Sequence, residues 1–123
     1  MPHHQKEREA TVTDERRQCC ALEIIVWERP GVAPRVYSVR CDPPSGGHPN
    51  PHGACDLLHS DVDIFAPVPP GTLSTQMYGG PQRAVVTGTR LGRAVSARFS
   101  RHNGAEIARW NRAVPVLPDP TER

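Results

Sequence analysis

Lysine is nearly missing from this 123-residue chain: Lys6 is the single example, and arginine carries almost all of the positive charge. The formal net charge is only +2, too small a balance to argue for a nucleic-acid partner by itself. Long apolar runs are missing too. The longest candidate, "CCALEIIVW", contains Glu23 and stops at Glu28, so no segment reads as a membrane span. No G-x-S-x-G nucleophile elbow is present, and "GTRLGR" lacks the lysine and the spacing of a phosphate-binding loop. The opening stretch "MPHHQKEREATVTDERRQ" is polar throughout and lacks the apolar core of an export signal. Three readings follow from this stretch alone: a cytoplasmic location, a signal already removed, or a start site that lies elsewhere. Aromatic residues make up 5% of the chain against 14 prolines, a composition that suits a small, loop-rich β or α+β domain.

A chain this short has room for one core. Residues 1–20 read as a disordered tail and 118–123 as a flexible C-terminus, leaving 21–117 as the domain. "LEIIVWE" (Leu22 to Glu28) is β-branched and apolar, and "RVYSVRC" (Arg35 to Cys41) alternates after a Pro-Gly turn; the two predict paired strands. In "ACDLLHSDVDIF" the apolar positions Ala54, Leu57, Leu58, Val62 and Phe65 recur three and four apart, which predicts an amphipathic helix with Asp56 near its positive end. "RAVVTGTRLGRAVSARFS" predicts a second hairpin, with Gly88 and Gly92 supplying freedom for the reversal. "GAEIARWNR" predicts a short helix and "AVPVL" a last extended piece on the sheet. Between the helix and the second hairpin, "TLSTQMYGGPQ" fits neither period. The fold class is α+β.

Four cysteines invite a metal or a disulfide. Cys41, His48, His52 and Cys55 are all side chains that zinc accepts, but only the histidines form a close pair, each set against proline or glycine, and this spacing argues against a zinc site. A Cys41–Cys55 disulfide is the alternative: it closes a loop of about 15 residues and contributes roughly 3 kcal/mol through the unfolded state. Cys19 and Cys20, neighbours in sequence, read as tail thiols, free or intermolecular. Ser60, His59, Asp61 and Asp63 crowd "HSDVD", yet consecutive helical residues point in different directions, so a solvated face is favoured over catalysis. The arginines at 83, 90, 93, 98, 101, 109 and 112 read as solvated surface, with an acidic partner as the sharper alternative. No cofactor is implied.

The order of these motifs resembles the Streptomyces subtilisin inhibitor family of secreted serine-protease inhibitors. "RCDPPSGGHPNPHGAC" looks like the family's first cysteine loop, "ACDLLHSDVDIF" its helix, "VVTGTRLGRAVSARFS" its hairpin and "AEIARWNRAVPVL" its tail, over roughly residues 21 to 117. The resemblance implies an antiparallel sheet of about five strands flanked by two helices, homodimers formed through the sheet, secretion, no enzymatic activity, and a protruding loop that enters a subtilisin-like active site. Anchoring on Tyr78 puts the bond offered to the protease between Gln76 and Met77, with Ser74 and Thr75 on its acyl side and Gly79 after Tyr78. A slip of one residue makes Met77 the specificity residue. Where the family ties this loop down with a second disulfide, this chain has Ser74 and Ala105, and Gly79-Gly80 replaces a rigid Asp-Pro. A short insertion is expected around "FSRHNGAE". A weakened inhibitor is one reading of these departures. A non-inhibitory protein-binding or scaffold protein of the same fold is the other.

Overall fold

A computed structural model describes residues 20–120. Four antiparallel strands form one sheet: β1 (Cys20–Trp27), β2 (Arg35–Arg40), β3 (Arg83–Arg90) and β4 (Arg93–Ser100), in the spatial order β2-β1-β3-β4. Helix α1 (Pro51–His59) follows β2, and helix α2 (Gly104–Arg112) follows β4. The architecture is α+β, with four strands in place of the expected five. The missing strand is "AVPVL", which turns tightly after α2. Prolines at 115 and 118 deny it ladder donors, yet Ala113, Val116 and Leu117 are fully buried there.

Alternation along β1 decides the faces. Cys20, Leu22, Ile24 and Val26 point into the core, and Val39, Val86, Ala84, Ala97 and Phe99 join them from the other strands. In register these residues form rows such as Ile24 beside Val86 beside Ala97. Helix α1 closes the row with Ala54, Cys55 and Leu58, and α2 with Trp110, whose indole N–H donates to Pro118 O at 2.9 Å. Cys20 is thus a buried strand residue and is disulfide-bonded, which corrects its reading as a tail thiol. Cys19 lies outside the described residues.

Helix α1 begins and ends earlier than the apolar spacing predicts. Asn50 caps it by accepting from Gly53 N at 3.0 Å, and Pro51 occupies the first turn, where a missing N–H costs nothing. Asp56 consequently sits in the second turn, away from the N-terminus. At the other end Ser60 Oγ donates to Leu57 O at 2.6 Å, and Arg90 takes the carbonyls of Leu58, Ser60 and Val62 at 2.9–3.0 Å. Those bonds satisfy acceptors that a longer helix would have used. Val62 is left exposed while Ile64, off the helix, is buried.

The Cys41–Cys55 bridge joins the end of β2 to the middle of α1, with the two Cα atoms 5.6 Å apart. His48 packs beneath the same loop: its Nδ1 accepts from Asn50 N and its Nε2 lies 2.9 Å from Val116 O. The second hairpin reverses at Leu91-Gly92, with φ of 53° and 79°, a pattern of the primed two-residue turns. Gly88 has a different job from the one its position suggests. It lies mid-strand at φ 138°, and a Cβ there would sit 2.0 Å from Ala21 O, so it is needed where β3 closes on β1.

Candidate functional site

Residues 72–80 carry no helix or strand, and every residue from 71 to 78 is exposed. Leu73 is 97% exposed, Met77 63% and Tyr78 62%. The segment is nevertheless fixed at two places, and the fixings lie on either side of Gln76 and Met77.

The first lies on the N-terminal side of Gln76, at the start of α2. Ser74 Oγ accepts from Ala105 N at 2.9 Å and donates to Asn103 Oδ1 at 2.9 Å. Thr75 O accepts from Gly104 N at 3.2 Å. Asn103 also caps α2, its Oδ1 accepting from Glu106 N at 3.0 Å. A helix start offers unpaired N–H groups, and here the loop takes up those of Gly104 and Ala105. Ser74 and Ala105, the pair expected from the resemblance to lie together, therefore meet, joined by a hydrogen bond.

The second fixing lies beyond Tyr78. Gly79 N donates to Arg101 O at 2.7 Å, and Arg101 Nε donates back to Gly79 O at 3.3 Å. Arg101 is itself buried, with Nη1 donating to Asn111 Oδ1 at 3.0 Å and its guanidinium 5.7 Å from the centroid of the Trp110 ring. A Cβ on Gly79 would lie 2.7 Å from Ile107 Cγ1, so glycine permits the close approach to α2. Tyr78 lies beside His102, with ring centroids 6.2 Å apart.

Most of the other candidates have structural partners. Cys41 and Cys55 bond each other and His48 is committed to backbone atoms, while His52 is exposed, so the four do not converge on one point. His59 Nε2 lies 3.1 Å from Asp42 Oδ2, Ser60 closes α1, and Asp63 Oδ1 accepts from Phe65 N at 3.2 Å. Asp61 is exposed.

Three of the arginines are tethers, which corrects their reading as a uniformly solvated surface. Arg90 caps α1 and Arg101 grips Gly79. Arg109, buried and 4.0 Å over the Phe99 ring, donates to Phe65 O, Ala66 O and Arg98 O. Burial pushes its pKa below the ordinary arginine value, and Glu106, 3.7 Å away, opposes that shift. Asn103, Arg101 and Asn111 were not expected from the sequence at this site. The paired Ser74 and Ala105 were the one available signal that α2 lay beneath the loop.

No family model and no curated protein matches the chain. Its fold is similar to that of sermetstatin from Streptomyces caespitosus, solved in complex with Bacillus licheniformis subtilisin. The TM-score is 0.53 at 24% sequence identity, covering 81% of this chain and 98% of that one. The likeness gives the fold: an α+β, subtilisin-inhibitor-like domain.

Proposed function

We propose that the protein inhibits a subtilisin-like serine protease by offering the Gln76–Met77 bond as a substrate-like loop. The observation that carries this reading is the exposed stretch from Gln76 to Tyr78 held between two separate fixings. One is Ser74 and Thr75 on α2, and the other is Gly79 on Arg101. A loop already ordered loses less conformational freedom on docking, at about 0.5–1.5 kcal/mol for each flexible side chain. If the bond is cut, each new end is retained close to where it was, and the bond can reform. The similar fold of sermetstatin, solved with subtilisin, points to the same class of partner. An inhibitor of this kind needs no catalytic group of its own. Secretion, which would suit the Cys41–Cys55 bridge, belongs to the same proposal.

Homodimerisation through the sheet is proposed from its outer face, where Val36, Ile25 and Val85 stand side by side in register and Val36 is 59% exposed.

Titration of subtilisin with the protein, followed by sequencing of any product, tests the inhibitor. Stoichiometric loss of protease activity with a slow cut at Gln76–Met77 is the expected result. Rapid cutting there without inhibition would favour the scaffold reading, for which the absence of a covalent brace at Ser74 is the supporting observation. Resistance without inhibition would remove the loop from the account.

A further inference from the structure

The loop's acyl-side fixing rests on Asn103-Gly104, and that dipeptide has a chemistry of its own. The chain contains three asparagines: Asn50, Asn103 and Asn111. An asparagine loses its side-chain amide nitrogen spontaneously when the following backbone nitrogen attacks its Cγ. Asn50 precedes Pro51, which has no N–H to deprotonate, and Asn111 precedes the bulky Arg112 within α2. Only Asn103 is followed by glycine, whose nitrogen is the least hindered.

In the folded chain that attack is blocked. Gly104 N donates to Thr75 O at 3.2 Å. Asn103 Oδ1 is committed to Glu106 N and to the Ser74 hydroxyl. Asn103 is extended, with φ −154° and ψ 174°, and ψ must rotate before Gly104 N can face Cγ. Each restraint involves either the loop or the first turn of α2.

We propose that Asn103 is a site of spontaneous deamidation which the seated loop holds closed and a released loop opens. In the step, Gly104 N loses its proton and bonds to Asn103 Cγ, and the side-chain nitrogen leaves as ammonia. Water then opens the five-membered imide at either carbonyl, giving aspartate or isoaspartate; the net change is one water gained and one ammonia lost. The isoaspartate form adds a carbon to the backbone between 103 and 104 and withdraws the Oδ1 that held Ser74 and Glu106 N. Release of the loop would thereby become permanent. This inference does not depend on protease inhibition.

The test follows Asp and isoAsp at all three asparagines by peptide mapping, with the full chain held at mildly alkaline pH. In urea, conversion at Asn103 should outrun that at Asn50 and Asn111, and folding should suppress it. Ser74→Ala should raise the folded-state rate roughly two- to tenfold, the change that one net hydrogen bond supports. Because that variant loosens the fold as well, a second one tightens it: oxidised Ser74→Cys/Ala105→Cys should deamidate more slowly than the parent. Equal rates in the folded and urea-unfolded chain would overturn the proposal, and so would equal rates in both variants and the parent.

Discussion

Arg101 and Arg109 look alike in the sequence and do different work. Arg109 reaches three carbonyls with one planar guanidinium while stacking on Phe99, a combination that a lysine ammonium cannot reproduce. Arg109→Met should lose about 3 kcal/mol, because the carbonyls of Phe65, Ala66 and Arg98 are left without their donor; urea unfolding monitored by Trp fluorescence checks this. Arg101→Met should cost less, about 1–2 kcal/mol, but act where it matters for the loop. Gly79 would keep its bond to the Arg101 carbonyl and lose the one to the guanidinium. The expected result is faster loss of the cut product from subtilisin, read as temporary inhibition, while a persistently inhibited protease would show that the backbone bond suffices. None of this was legible from the sequence. Seven scattered arginines carry no period, and a side chain that reaches carbonyls far along the chain leaves no local signature.

At the scale of elements, what could be read was what depends on neighbours. β1, β2, both strands of the second hairpin, and α2 from Gly104 to Arg112 fall where alternation and helical spacing put them. α1 was misplaced because its apolar spacing continues past Ser60, whereas its ends are set by Asn50, Pro51 and the reach of Arg90 from β3. Of the two glycines expected at the hairpin reversal, Gly88 is dictated by the Ala21 carbonyl across the sheet, whereas Gly92 lies in the turn beside Leu91, which takes a left-handed position. Leucine there is strained, by roughly 1–2 kcal/mol for an L-residue with a Cβ, and it is 60% exposed. Leu91→Asn restores the Asn-Gly pair that such turns favour. It should raise stability by about 1 kcal/mol, seen as a higher midpoint in denaturant with an unchanged slope.

Across the whole molecule, one covalent link and one hydrogen-bonded link divide the labour. The Cys41–Cys55 bridge fastens α1 to β2, on the far side of β1 from β3 and β4, so it holds the body and does not touch the loop. Replacing both cysteines with alanine should therefore remove about 3 kcal/mol of stability, and inhibition measured well below the melting transition should survive. A parallel loss of inhibition at full foldedness would show that the bridge also shapes the loop.

In residue pattern the candidate site was legible as an aperiodic stretch carrying apolar Leu73, Met77 and Tyr78, and the resemblance added the pairing of Ser74 with Ala105; its fixings lie on α2 and at the end of β4, more than twenty residues on. That distance is why Ser74 and Ala105 matter. They are adjacent in space, with Oγ 2.9 Å from the amide nitrogen, and the bond between them is broken by any water that competes for it. Ser74→Cys with Ala105→Cys would replace that bond with one that closes a loop of about 30 residues, for which chain entropy allows roughly 3–4 kcal/mol. If the loop is what binds the protease, stiffening it should tighten inhibition at least tenfold, since each 1.4 kcal/mol of ordering cost avoided is about one factor of ten. Reduction with dithiothreitol should reverse the gain. A variant that forms the bridge, gains stability and inhibits no better would place the binding surface elsewhere on the molecule.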